Sequence, residues 1–299
     1  MSTLGLKGIE PLLRGADLDG AVVLCDSPES PERSAICYQF VREGLRNGEK
    51  VLIVLSKGSP ETVKKALAKI GVEVDEEIEK SNLVFLIPGE GANEGAPDVR
   101  KLPTQIATRL VDMGVASRKR VLVTGLNTLL SAVPKEQQEK LLNELIGEAR
   151  ARAALGLMVL DAAGMAKPEA EALYALFDGA LKVNRDSLAE GFMIGVVAFE
   201  GVERKGIFLP LRKTGEELVA GFAAMGGPAT EACPECGFQV LPGFDVCPRC
   251  KADLRKARGA APKTPGVLDY LEKLGLEAGV AAPSTAGAKS EEERRQKLQ

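Results

Sequence analysis

Runs of consecutive apolar residues recur along this chain, at Ala21–Cys25, Val51–Leu55, Leu83–Ile87, Val121–Val123 and Leu157–Leu160. Strands buried on both faces read this way, and such strands belong to parallel sheets covered by helices on either side. The segments between them carry the matching helical spacing. Arg33-Ser34 opens a helix with Ile36, Phe40, Val41 and Leu45 on one face, and Leu141, Leu142, Leu145 and Ile146 share a face within Lys135–Ala154. Further helices are predicted over Ser59–Ile70, with Ser as cap and Pro60 in the first turn, over Lys101–Gly114 and over Pro168–Leu176. From Ala180 the alternation stops. Ala180–Val183, Phe192–Phe199 and Gly206–Leu211 read as strands with no helices between them, an antiparallel edge on the sheet. A short helix is expected in the lead-in, around Ile9–Leu13, and another at Glu216–Phe222. The fold class is therefore α/β: a mostly parallel sheet covered by helices on both faces, with antiparallel C-terminal edge strands. Ligand sites in such sheets lie at the C-terminal ends of the strands, where strand order reverses.

That rule selects the loop after Cys25. Strand, short polar loop and helix at this spacing is where a phosphate-binding loop sits, and the slots of G-x-x-x-x-G-K-[ST] fall on Ser27, Glu32, Arg33 and Ser34. The residues in the slots are the wrong ones for a phosphate cradle. Pro28 and Pro31 each remove a backbone donor. Without glycine the positive-φ conformations of such a loop are costly. Glu29 and Glu32 bring carboxylates to the place of the phosphates. A like charge at about 4 Å costs on the order of 4 kcal/mol even at a surface-like dielectric, more than the roughly 0.3–1 kcal/mol that a helix N-terminus offers an anion. Only Arg33, in the place of the lysine, and Ser34, with a magnesium-ligand hydroxyl, keep any of the chemistry.

The text around this loop resembles the RecA superfamily, in its KaiC-like (RadA-type) branch, from about Gly5 to Phe222. The resemblance rests on Gly20–Leu24, on Tyr38–Leu45 in the first helix, and on Gly48–Val54 leading to Ser59-Pro60-Glu61. It continues through Arg120–Val123 with Leu126, Leu173–Gly179, Leu209-Pro210-Leu211 and Thr214-Gly215. It implies a RecA-like fold, and an ATPase ancestry in a family whose members often form hexameric rings. Two further signatures of that family lapse together with the loop. The positions of its paired catalytic glutamates hold Lys57 and Gly58, and the position of its Walker B aspartate holds Thr124. Arg204 and Lys205 lack the spacing of its intersubunit Arg/Lys hairpin. No carboxylate is left there to activate a water or hold magnesium, so the resemblance implies a pseudo-ATPase with no catalytic residues, not an enzyme. ATP is not expected as a cofactor, and Arg33 and Ser34 remain as vestigial nucleotide contacts. Asp26 and Asp161, at strand ends, are read as turn or cap residues, and Cys25 and Cys37 as small buried hydrophobes.

Beyond Met225–Thr230 comes a different kind of pattern. Cys233, Cys236, Cys247 and Cys250 form C-x2-C-x10-C-x2-C, two knuckles whose four thiolates complete a closed tetrahedral site. This is the pattern of a zinc ribbon with a structural zinc ion; iron in a rubredoxin-type site is the alternative. Phe238 and Phe244 are expected to cover the knuckles. Four acidic and five basic residues between Glu231 and Arg258, with the −2 of a tetrathiolate zinc, leave about −1, which favours a protein partner over nucleic acid. The domains expected are 1–224, RecA/KaiC-like with a degenerate nucleotide site; 225–230, a linker; 231–258, the ribbon; and 259–299, a largely disordered tail. The tail holds a short amphipathic segment at 266–276, which either docks in a partner's groove or packs back on its own domain.

The composition narrows the remaining choices. The chain of 299 residues contains no His and no Trp, so no His-based triad, general base or metal ligand exists. A net charge of −3 gives no global attraction to nucleic acid or anionic lipid. No leader pattern and no membrane-length apolar run is seen, so a cytoplasmic protein is expected. These readings converge on a non-catalytic KaiC/RecA-like regulatory or scaffolding protein. Its ribbon and tail would contact protein partners, either further copies of itself or an active RecA/KaiC-like paralogue. The alternatives are a nucleotide-binding switch without hydrolysis and a DNA-binding recombination or transcription accessory factor.

Overall fold

The structure is a computed structural model that describes residues 2–10, 12–89, 98–185, 191–202, 205–214, 217–221, 231–235, 239–240, 247, 250 and 252–254. The chain packs as two compact units, Met1–Gly227 and Pro228–Gln299. In the first, six parallel strands are β1 (Val22–Asp26), β2 (Lys50–Leu55), β3 (Leu83–Leu86), β4 (Lys119–Thr124), β5 (Ala154–Leu160) and β6 (Gly179–Arg185). Three antiparallel strands follow, β7 (Phe192–Phe199), β8 (Phe208–Thr214) and β9 (Glu217–Ala220). They make one sheet in the order β3-β2-β4-β5-β1-β6-β7-β8-β9. Helices α1 (Pro31–Arg46), α2 (Pro60–Lys69) and α3 (Val74–Glu79) belong to one side of the alternation, and α4 (Leu102–Asp112), α5 (Leu126–Ser131), α6 (Lys135–Arg150) and α7 (Lys167–Tyr174) to the other. The expected α/β class, with its parallel core and antiparallel C-terminal edge, is what the structure has. Among the described residues no helix is long and apolar enough to cross a membrane.

The central strand shows why the apolar runs are continuous. Every residue of β1 is buried. Val23 and Cys25 join a core with Phe40 and Val41 of α1, while Val22 and Leu24 join the opposite core with Ile146 and Ala149 of α6. Alternate side chains serve two cores, so a continuous apolar run is what such a strand requires.

At the N-terminal ends of β2 and β4 lies a buried ion pair. Arg120, 0% exposed, pairs through Nε with Glu49, 3% exposed. Its Nη1 donates to the Phe40 carbonyl at 3.2 Å, and its guanidinium lies 4.9 Å from the centroid of the Phe40 ring. Gly44 of α1 makes room for it, since a Cβ there would stand 2.6 Å from Arg120 Cδ. A second tie fixes the start of β1: the Asp178 carboxylate accepts from Val22 N at 2.7 Å and from Arg150 Nε and Nη2 at 3.0 and 2.8 Å.

Three segments differ from the sequence reading. Residues Glu217–Ala220 form β9 rather than a helix, because they pair with Leu211–Thr214 of β8 and their alternate residues Leu218 and Ala220 are buried. Around Ile9 the described residues turn rather than form a helix: Leu12 N and Leu13 N donate to the Ile9 carbonyl, with Gly8 and Gly15 at positive φ on either side. Helix α1 begins at Pro31, ahead of Arg33, with Ser30 as its cap. The lead-in also closes the sheet edge: Lys7 bridges Val219 in parallel, and Ala220 N donates to the Lys7 carbonyl at 2.8 Å.

In the second unit, β10 (Glu231–Ala232) and β11 (Gln239–Val240) pair antiparallel on either side of Cys233 in the chain. Cys236, Phe238, Phe244, Arg204, the linker 225–230 and the tail 259–299 with its segment 266–276 lie outside the described residues.

Candidate functional site

The residues singled out on the RecA-like frame come together at the C-terminal ends of the parallel strands. A cleft of about 180 Å³ is lined by Arg33, Ser34, Lys57, Gly58 and Thr124, with Glu29 at its mouth. Cys37 and Tyr38 of α1 and Val63 of α2 stand along it, and Ile53, Leu55, Leu122 and Val159 form its floor.

The polar groups here are already engaged with one another. Ser30 stands at the N-terminus of α1, where its hydroxyl accepts from Arg33 N at 3.1 Å and its carbonyl accepts from Ser34 N at 3.3 Å. Pro31 occupies the first helical position, where a missing N–H is no loss. None of residues 27–34 has a positive φ, so the inward-facing row of N–H groups that cradles a phosphate does not form. Arg33 folds back over its own loop: Nη1 donates to the Ser27 carbonyl at 3.3 Å, and Nη2 lies 3.5 Å from the Glu29 carboxylate. The Ser34 hydroxyl donates to the Ser30 carbonyl at 3.4 Å.

The end of β4 is closed in the same way. The Thr124 hydroxyl donates to the Val54 carbonyl at 3.1 Å, and Ser56 Oγ lies 2.6 and 2.8 Å from the carbonyls of Thr124 and Gly125. Gly125 has φ +63°, and a Cβ there would collide with the Ser56 hydroxyl. Both demands select glycine. Gly125→Ala is expected to lower stability by about 2–3 kcal/mol from left-handed strain and overpacking. The urea midpoint of the variant against the parent measures it.

Asp161 and Asp26 behave differently from each other. Asp161 starts a turn, accepting from Ala163 N at 2.8 Å, while Asn127 bridges its backbone on both sides. Asp26, buried at the end of β1, joins three elements. It accepts from Ala162 N at 2.9 Å and from the Tyr174 hydroxyl at 2.6 Å, and Lys182 Nζ lies 3.4 Å away. Burial, then the hydrogen bond to Asp26, pushes the Tyr174 phenol well above its ordinary value, so it stays a donor at physiological pH. Burial pushes the Cys37 thiol up to about 12 and raises that of Cys25 further still. Both are thiols at neutral pH, packed as small hydrophobes.

The cap at Ser30, the Arg33–Glu29 contact and the Ser56 lock are absent from the sequence reading. A signal for the first exists. Ser30-Pro31-Glu32 repeats the Ser-Pro-Glu step of Ser59-Pro60-Glu61, whose Ser59 hydroxyl accepts from Thr62 N at 3.4 Å. The Ser56 contacts depend on the close approach of β2 and β4, which no local pattern announces.

In the second unit the sulfurs of Cys233, Cys247 and Cys250 all lie within 4.8 Å of one another. Cys233 and Cys250 are 3.6 Å apart, too far for a disulfide. A tetrahedral thiolate site with metal–sulfur bonds of about 2.3 Å sets its sulfurs roughly 3.8 Å apart. The described thiols fit that geometry, with Cys233 and Cys247 buried against Leu254.

A family model described as "MEDS: MEthanogen/methylotroph, DcmR Sensory domain" matches residues 24–154, which run from β1 to the start of β5 and include most of the cleft. A search of curated proteins finds no match. Among solved structures, a KaiC-like protein of the hyperthermophilic archaeon Pyrococcus horikoshii OT3 aligns with a TM-score of 0.61 at 11% identity, over 73% of this chain and 97% of that one. At that identity the likeness speaks for the fold, which is KaiC/RecA-like.

Proposed function

We propose that this chain is a non-catalytic KaiC/RecA-like sensory and regulatory protein, whose strand-end cleft no longer processes ATP and whose cysteine module holds zinc and engages a protein partner. One observation carries the first half of this reading: none of residues 27–34 has a positive φ, so the backbone cradle that would hold a nucleotide's phosphates does not form. Ser30 fills the N-terminus of α1, and Arg33 is turned onto Ser27 and Glu29. Lys57, Gly58 and Thr124 line the cleft where an ATPase of this fold would need carboxylates. The match of residues 24–154 to a family described as a sensory domain supports a role in detection rather than turnover.

For the second half, Cys233, Cys236, Cys247 and Cys250 would hold the metal as a structural tetrathiolate with no open position for chemistry. The near-neutral charge of residues 231–258 favours protein contact over DNA. The partner would be another copy of the chain or an active paralogue.

Calorimetric titration with ATP and Mg²⁺, together with a phosphate-release assay, tests the reading. The expected result is no binding at millimolar nucleotide and no turnover. Micromolar binding with turnover would sink it, and micromolar binding without turnover would favour the nucleotide-switch alternative through Arg33 and Ser34.

A further inference from the structure

We propose that the cleft between α1 and the ends of β2, β4 and β5 binds a small organic carboxylate with an apolar body, the acid displacing Glu29 from Arg33. The inference rests on the sensory reading above and adds the chemical class of what is sensed.

Size is the first constraint. The cleft measures about 180 Å³. An apolar cavity of about 150 Å³ holds one benzene ring, whereas sites for drug-sized ligands begin at roughly 300 Å³. A single ring or a short alkyl chain matches this volume.

Polarity is the second. The floor, Ile53, Leu55, Leu122 and Val159, is entirely aliphatic and at most 3% exposed, so the gain lies in taking a ligand's own apolar body, and the half-buried Tyr38 and Val63 beside it, out of water. The charged groups lie at the rim, where Arg33 and Lys57 are both cationic. Among the described residues Lys57 has no ion pair. Glu29 is the only carboxylate among the lining residues.

Arg33 is built to receive a carboxylate. Its side chain is only 18% exposed, and the bond from Nη1 to the Ser27 carbonyl fixes the guanidinium in place. Its remaining ionic contact is the 3.5 Å approach of Glu29, whose side chain is 82% exposed. A single contact at that distance, made by a side chain left largely in solvent, is weak and readily exchanged, whereas a carboxylate delivered along the cleft can meet the N–H edge of the guanidinium in a partly desolvated place. Glu29 thus stands in the position that an external acid would take. Its release turns a carboxylate outward on the loop that joins the central strand to α1, while Ser27 stays tied to the Leu160 carbonyl and Ser30 stays the cap of α1, so occupancy alters the charge presented at that loop.

Benzoate and hexanoate are the probes, with benzamide and hexanol as uncharged counterparts. Each is titrated into the full-length protein and its ¹H–¹⁵N correlation spectra. The expected result is saturable binding of at least one acid, with shifts centred on Ser27–Arg33 and Lys57. Affinity should fall at least tenfold for the uncharged counterpart and for Arg33→Gln, fall several-fold for the exposed Lys57→Gln, and rise several-fold for Glu29→Gln. Absence of binding by both acids at 10 mM probe, or equal affinity of acid and amide, overturns the proposal. So does an affinity unchanged in both Arg33→Gln and Lys57→Gln. The outcome is separable from the ATP titration: a protein that binds neither ATP nor these acids remains a pseudo-ATPase without this ligand class.

Discussion

Replacing Glu49 by alanine is expected to remove about 3–5 kcal/mol of stability, because Arg120 is left charged and unpaired at a fully buried position. That is a large share of the roughly 5–15 kcal/mol by which domains are stable. The remaining partners do not compensate. The Phe40 carbonyl and ring offer one hydrogen bond and a cation–π contact, and Nη2 of Arg120 has no partner even in the intact pair. The informative companion is Glu49→Leu with Arg120→Met, which replaces the pair by apolar side chains of similar length. It should recover most of the loss, since well-packed hydrophobes substitute for buried ion pairs at little or no cost. Urea denaturation followed by far-UV circular dichroism is the measurement, because the chain has no Trp to report by fluorescence. A single-variant loss below about 1 kcal/mol would show that water reaches the pair.

The second large effect concerns the cysteine module. The purified protein is expected to carry one zinc ion per chain, and Cys247→Ser to carry almost none. Structural zinc in isolated modules contributes an apparent 10–16 kcal/mol or so, more than so small a unit can replace from packing. The paired segments Glu231–Ala232 and Gln239–Val240 should therefore lose their amide protection in the variant, and in the parent protein after a strong chelator. Metal content by atomic emission and hydrogen exchange over 231–254 read the two effects. A parent protein that holds no metal yet protects those amides would remove zinc from the account, and a red protein with iron would assign the rubredoxin-type alternative.

Much of the RecA-like unit is legible in the sequence because the sheet is buried on both faces. Phe192–Phe199 is read at its observed limits, and β2 to within a residue, since continuous apolar runs have few alternative explanations. Two short helices escape the sequence reading for want of length, and one strand is misread for a different reason. Val74–Glu79 is a single short helix of mostly acidic residues, and Leu126–Ser131 is no longer than two turns, so neither shows a period. The residues of β9 have local text that suits a helix; their strand state comes from β8, a tertiary partner. At the site, the positions that line the cleft follow from the frame. Their engagement with one another does not, because a motif slot names a residue and not where its side chain turns. Some of the family-like text proves to be structural: Gly44, Glu49 and Arg120 are tied to one buried ion pair at the end of the sheet opposite the cleft.

The bridge between Lys7 and Val219 bears on how this chain is made. The lead-in leaves the ribosome long before its hydrogen-bond partner, which lies in the last strand of the sheet. Gln39 and Arg42 of α1 wait for the same strand, through the Leu218 carbonyl and the Glu217 carboxylate. Nascent chains that stop short of this strand cannot close the edge, and closure joins segments of high sequence separation, the slow kind of step in folding. The final strand acts as a checkpoint: only a chain translated through Ala220 can seal its own beginning.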